Sequence, residues 1–280
     1  MLEKGGANLI DPINDIEKIK KAYKEFELVR THFLPHDKYY YGHVDALKKV
    51  TEIHGRCNAR IKANFVQKLV DEEALYSFGY KPTFKAIDES QSEALKDISY
   101  YFKSNRAGYF TGVGKKLVNF GEGYELSFYN AQGKFKNKWI TPLEGYMYFN
   151  EYDESEFFMY IHKEYEEDEK NKGNYISKDH IDLYDESYVY YLDSHFVEIK
   201  PKKKHNIDCI PVGVALIDNE KYEFIDGYEK GDTTIFTNIK SIQDAYCQNF
   251  SDIVQEITDY RNAILKFYNI DLQDKKDSNF

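Results

Sequence analysis

Apolar residues recur at intervals of three and four in two long stretches of the chain, and between them the interval falls to two. In the first stretch Ile61, Phe65, Val66, Leu69, Val70 and Ala74 share one helical face, while Lys62, Gln67, Lys68, Asp71 and Glu72 point elsewhere. Asn58 or Gly55 offers a start, Gly79 a left-handed C-terminal cap, and Pro82 bars continuation. In the second stretch Ile239, Ile242, Tyr246, Phe250, Ile253, Ile257, Tyr260, Ile264 and Phe267 step along without a Gly or Pro between them. That spacing predicts one helix over 238–269, longer than most globular helices. Ile16, Ile19, Ala22, Tyr23, Phe26 and Val29 predict a helix over 13–31, followed by a loop at 32–37 around Pro35. Ala94, Leu95, Ile98, Tyr101 and Phe102 predict another over 90–104, and residues 115–120 one further helical turn closed by Gly121.

After Gly121 apolar and polar residues alternate. Tyr124, Leu126 and Phe128 form one strand, residues 130–133 a hairpin turn, and residues 135–141 the returning strand, ended by Pro142. Further strands follow at 146–149, 157–165, 181–184, 188–192 and 196–199, with an acidic turn at 150–156, a charged loop at 166–174 and a basic turn at 201–204. Residues 122–200 therefore read as an antiparallel meander, and the chain as α+β.

Composition changes this picture in one respect. The 280 residues hold 26 Tyr and 19 Phe against one Trp, an excess that suits strands, half-buried surfaces and interfaces, a sugar-binding face included. A net charge of −10 argues against a general nucleic-acid binder. Cys57, Cys209 and Cys247 are odd in number and lack metal or disulfide spacing, which points to reduced thiols. No apolar run has the length of a membrane span.

The search for chemistry yields no catalytic, cofactor-binding or metal-binding residue. Gly112, Gly114, Lys115 and Lys116 imitate a phosphate loop, but Tyr109 stands where its first glycine belongs and Lys116 where Ser or Thr must reach magnesium. His180, Asp182 and Asp185 are drawn more simply as the solvent face of a tyrosine-rich strand than as metal ligands. Glu151, Asp153, Glu154 and Glu156 lack the ligand positions and central glycine of a calcium loop. Lys202, Lys203 and Lys204 read as a solvated corner.

The order of short words along the chain says more. Tyr39, Tyr40 and Gly42 are followed by Asn58, Arg60, Ile61, Asn64, Phe65, Lys68, Val70 and Asp71, then by Tyr76, Phe78, Gly79 and Pro82. Later come Gly121, Tyr124, Glu125 and Tyr129, then Pro142 and Glu144, then Tyr160 and Ile161. Ile210, Pro211 and Val212 precede Asn219, Glu220, Gly231 and Asp232. The long helix carries Ile242, Asp244, Ala245, Tyr246, Ser251, Asp252, Asp259, Ala263, Ile264 and Leu265. This ordered set, over most of residues 39–271, resembles the portal proteins of tailed phages of Gram-positive bacteria.

The resemblance implies a structural subunit without enzymatic activity or cofactor, one of twelve copies in a ring at a capsid vertex. Its implied partners are other portal subunits, the packaging terminase, capsid or scaffolding proteins and head-completion proteins. Double-stranded DNA would pass through the channel without sequence-specific binding, and no membrane is involved. The implied location is the virion vertex, and the host cytoplasm during assembly. N-terminal helices flanking the sheet would make a wing-like domain over 1–237, the long helix a stem over 238–270, and residues 271–280 a polar tail. Family members continue through a clip, a returning stem helix and a crown, so a truncated or split form is expected. Ile253, Ile257, Ile264 and Phe267 are then the expected oligomer interface, left exposed on a stem helix that projects from the wing. The alternatives are a tyrosine-rich module that binds carbohydrate or a host surface and, with no constellation behind it, an unrecognised enzyme.

Overall fold

The computed structural model describes residues 10–12, 14–48, 58–80, 83–93, 95–96, 108–167, 175–217, 223–225, 228–230 and 233–277. Among them, side chains are described except at 91, 166–167, 175–176, 223–225, 228–230 and 262–277. The chain is α+β and divides into two compact units, residues 1–35 with 72–234 and residues 36–71 with 235–280. Among the described residues the long helices are α1 (Ile16–Tyr40), α2 (Phe65–Phe78), α3 (Tyr109–Phe120) and α4 (Ile235–Asp277). The strands are β1 (Glu122–Tyr129), β2 (Phe135–Ile140), β3 (Gly145–Phe149), β4 (Ser155–Glu167), β5 (Tyr175–Tyr184), β6 (Tyr188–Asp193), β7 (Glu198–Lys204), β8 (Val212–Leu216), β9 (Glu223–Ile225) and β10 (Tyr228–Lys230).

In the first unit the expected single meander is two sheets, with β9 and β10 as a separate small hairpin. Five strands run antiparallel in the order β3-β4-β5-β6-β7, and three in the order β2-β1-β8. The division falls after the β1–β2 hairpin because β1 takes its second partner from residues 212–216, which pair Leu126 with Val212 and Glu122 with Leu216. The middle of β4 shows why the larger sheet needs cover on both faces. Phe157, Met159 and Ile161 pack with Ile19, Phe26, Val29 and Phe33 of α1. Phe158 and Tyr160, on the opposite face, pack with Tyr124, Leu126 and Ile140 of the smaller sheet. A strand buried on both faces reads as a continuous apolar run, and Phe157–Ile161 is that run. The layers are thus helix, five-stranded sheet, three-stranded sheet. Many of the tyrosines that suggested a sugar-binding face are core: Tyr124, Tyr146, Tyr148, Tyr160 and Tyr190 are all buried.

The structure departs from the sequence pattern at several places. The loop expected at 32–37 is helix, since α1 continues through Pro35 to Tyr40. Proline inside a helix costs about 3 kcal/mol, and the continuing stripe of Phe33, His36 and Tyr39, all buried, offsets it. Helix α2 begins at Phe65, not near Asn58, because Asn64 accepts the Gln67 N–H at 3.3 Å in the manner of an N-cap. Gly79 ends α2 without a left-handed conformation; a Cβ there would stand 2.3 Å from the Leu75 carbonyl oxygen. The single turn expected at 115–120 is the last part of α3, whose C-cap Gly121 is left-handed (φ 75°), as expected, and donates to the Leu117 carbonyl at 2.7 Å. Residues 201–204 are the end of β7, not a turn. The helix expected over 90–104 lies mostly outside the described residues, which show helical turns only at 89–93 and 95–96.

In the second unit an extended segment lies along α4. The Ile61 N–H donates to Ser251 Oγ at 2.9 Å, the Ala63 N–H to Cys247 Sγ at 3.3 Å, and the Val66 N–H to Gln243 Oε1 at 3.0 Å. The match is metric. Two extended residues advance about 6.6 Å, and four helical residues about 6.0 Å. Cys247 and Ser251, four apart on one face, are therefore spaced to accept from Ala63 and Ile61, two apart on the extended chain, and Gln243, one turn further along, accepts from Val66 in the first turn of α2. All three are buried.

Candidate assembly surfaces

The second unit gathers its polar contacts at Tyr39 and Asp244. The Tyr39 hydroxyl donates to Asp244 at 2.7 Å and accepts the Asp45 N–H at 3.1 Å. Lys240 donates to the other Asp244 oxygen at 2.7 Å, with its ammonium 5.1 Å from the centre of the Tyr39 ring. Burial and then the bond to Asp244 push the Tyr39 hydroxyl above the usual phenol range, so it stays a donor. The bond to Asp244 raises Lys240 as well. Nearby, Tyr40 donates to Asp71 at 2.8 Å.

These contacts invert the amphipathic pattern of α4. The face buried within the protein carries Gln243, Cys247 and Ser251, while Ile242, Tyr246, Phe250, Ile253, Ile257 and Tyr260 are exposed. From Tyr246 the exposed residues alternate steps of four and three, the a/d repeat of a coiled-coil seam. Of the residues expected at an oligomer interface, Ile253 is 51% exposed and Ile257 64%. Ile264 and Phe267 continue the repeat on the α4 backbone, and their side chains lie outside the described residues. Gln243, Cys247 and Ser251 were not recognisable from the sequence as backbone-binding residues; their spacing of four was the available signal.

The first unit holds Gly112, Gly114, His180, Asp182 and Asp185. Gly112 and Gly114 lie inside α3, not in a loop, and a Cβ at Gly114 would meet the Phe78 ring at 2.4 Å. His180, Asp182 and Asp185 are not a solvent face, and the structure does not bring them together. His180 faces Glu164 at 3.5 Å, and Asp182 faces His162 at 3.4 Å. Asp185 is wholly buried and accepts from the N–H groups of Ser187 (2.7 Å), Tyr188 (2.6 Å) and Ile10 (3.2 Å), and from the Tyr190 hydroxyl (3.1 Å). It is a structural anchor, invisible to a reading that treats strand-end carboxylates as surface. Among the described residues no group of three or more His, Cys, Asp or Glu is placed to hold a metal ion, and no helix is long and apolar enough to cross a membrane.

A cleft of about 530 Å³ opens in the same unit. The β1–β2 hairpin supplies Phe128, Tyr129 and Lys138, the larger sheet Tyr160, Tyr184 and Tyr191, and the end of β7 Lys203 and Lys204. Lys138 contacts the Tyr160 hydroxyl and lies 4.2 Å from its ring centre. Burial pushes the Tyr184 and Tyr191 hydroxyls above the phenol range, so both remain donors. The Nε2 of His205 lies 3.0 Å from the Asp185 carbonyl, while its Nδ1 accepts the Ile207 N–H.

Comparison with known proteins places these surfaces in context. A family model described as phage portal protein, SPP1 Gp6-like, matches residues 19–279. No curated protein matches the chain.

Proposed function

The chain belongs to the phage portal proteins of the SPP1 Gp6-like family, and from that premise we propose that it closes a ring with other copies of itself through the exposed stripe of α4. As a member of this family it is a structural protein of the virion, acting in DNA packaging and head–tail connection. The finer reading is a ring at the capsid vertex whose channel passes double-stranded DNA without reading its sequence. Its partners are the terminase, capsid or scaffolding proteins and head-completion proteins, met first in the host cytoplasm. The subunit itself performs no catalysis.

The inverted amphipathicity of α4 carries this reading. A helix with polar residues buried inside its own protein and an a/d stripe of Ile, Phe and Tyr outside is built for a partner helix. Burying each large apolar side chain is worth about 1.5–3 kcal/mol, so Phe250, Ile253, Ile257 and Tyr260 together favour association strongly. Ile264 and Phe267 extend the same interface by their positions in the repeat. Light scattering and electron microscopy of the purified protein test the proposal. Closed rings or ring-sized oligomers are expected for the wild type, and their loss in Ile257→Asp with the unfolding transition of the monomer unchanged. A wild type that stays monomeric at every accessible concentration overturns it.

A further inference from the structure

We propose that the lysine-rich cleft of the first unit receives the acidic β3–β4 hairpin of a second copy of this chain. The inference rests on the ring reading and assigns it a second contact, independent of α4.

The charge distribution points to it. The protein carries a net charge of −10, yet the residues lining the cleft include Lys138, Lys203 and Lys204 and no Asp or Glu. None of these lysines has an acidic partner among the described residues. Lysines along an edge strand such as β7 guard it against unwanted pairing, but that does not explain the concavity or the aromatic floor of Tyr160, Tyr184 and Tyr191. Ammonium groups and phenol donors around an aromatic floor suit carboxylates flanking an aromatic side chain.

The β3–β4 hairpin presents that combination. Glu151, Asp153 and Glu154 are exposed around Tyr152, itself 75% exposed. The turn is pre-shaped, since Asn150 Oδ1 accepts the N–H groups of Tyr152 at 2.9 Å and Glu154 at 3.0 Å. Little ordering cost therefore remains on docking. Cleft and hairpin are different patches of one protomer, so their pairing between copies is heterologous, the kind of contact that closes rings.

A charge-swap experiment on the full chain tests the contact. One variant carries Lys203→Glu and Lys204→Glu, making both patches acidic; the other carries Glu151→Lys and Glu154→Lys, making both basic. Circular dichroism and thermal melts check that each is folded. Each variant alone should associate about tenfold or more less tightly than wild type, because like charges face one another. An equimolar mixture should recover association, since every cleft then meets a hairpin of opposite sign, and the recovery should weaken with salt. If both variants associate as the wild type does, or if the mixture fails to recover, the contact is refuted while the ring reading stands on α4. Saturable binding of a short single-stranded oligonucleotide in the cleft, with no recovery on mixing, also refutes it. A monomeric wild type overturns both readings together.

Discussion

Tyr39 and Asp244, 205 residues apart, share a 2.7 Å hydrogen bond that joins α1 to α4 within one compact unit. The same hydroxyl accepts the Asp45 N–H. Tyr39→Phe keeps the ring against Phe236, 5.2 Å between centres, and removes both bonds. A hydrogen bond to a charged group is worth about 1.5–3 kcal/mol, so urea denaturation should show a loss of that order. No loss would mean that Lys240 alone satisfies Asp244.

The two glycines inside α3 should respond in opposite directions to alanine. At Gly112 a Cβ meets nothing within 4 Å, and Gly112→Ala should stabilise by about 0.5–1 kcal/mol through helix propensity. At Gly114 the Cβ would fall 2.4 Å from the Phe78 ring, and Gly114→Ala should destabilise by about 1–3 kcal/mol from overpacking. Thermal melts of the two variants side by side check the sign of each.

Asp185→Ala should be among the most damaging single substitutions in the first unit. It strands the N–H groups of Ile10, Ser187 and Tyr188 and the Tyr190 hydroxyl. Each buried group left unpaired costs about 1–3 kcal/mol, so a total of at least about 3 kcal/mol is expected. Tyr190→Phe removes one of the four donors to Asp185 and should cost less, about 1.5–3 kcal/mol. A chemical denaturation series that ranks the two the other way would refute the anchoring role.

Alkaline pH should destabilise the fold. Burial raises the hydroxyls of Tyr39, Tyr146, Tyr184 and Tyr190 above the phenol value of the unfolded chain. A group whose folded pKa is raised gives stability that is complete below its unfolded pKa and is lost as pH climbs toward the folded one. Stability should therefore be flat below about pH 10 and fall above it, with the tyrosinate absorption band growing together with loss of the fold. A tyrosinate band that saturates while the near-ultraviolet dichroism stays native would contradict this.

What the sequence revealed depended on how local the cause was. The long stripe of α4, the left-handed Gly121 and the apolar run Phe157–Ile161 announce themselves, because periodicity and φ preference act over a few residues. Pro35 misled, because the buried side chains that hold α1 helical past it belong to tertiary packing. The single meander misled in the same way, since nothing around Tyr124 indicates that its second neighbour is Val214. The exposed side of α4 was anticipated at Ile253 and Ile257. The polar side was not, because Gln243, Cys247 and Ser251 look like ordinary surface residues until an extended chain is laid across them.

That crossing fixes the phase of α4. Three acceptors match one alignment of residues 61–66, extended to Asn64 and then entering α2, and a slip by a single residue turns the helix by about 100° and spoils all three. The azimuth at which Ile253 and Ile257 point is thus set by residues 61–66, on another part of the chain. Substitutions at Gln243, Cys247 or Ser251 act as aiming errors: they would leave the seam intact in composition and misdirect it.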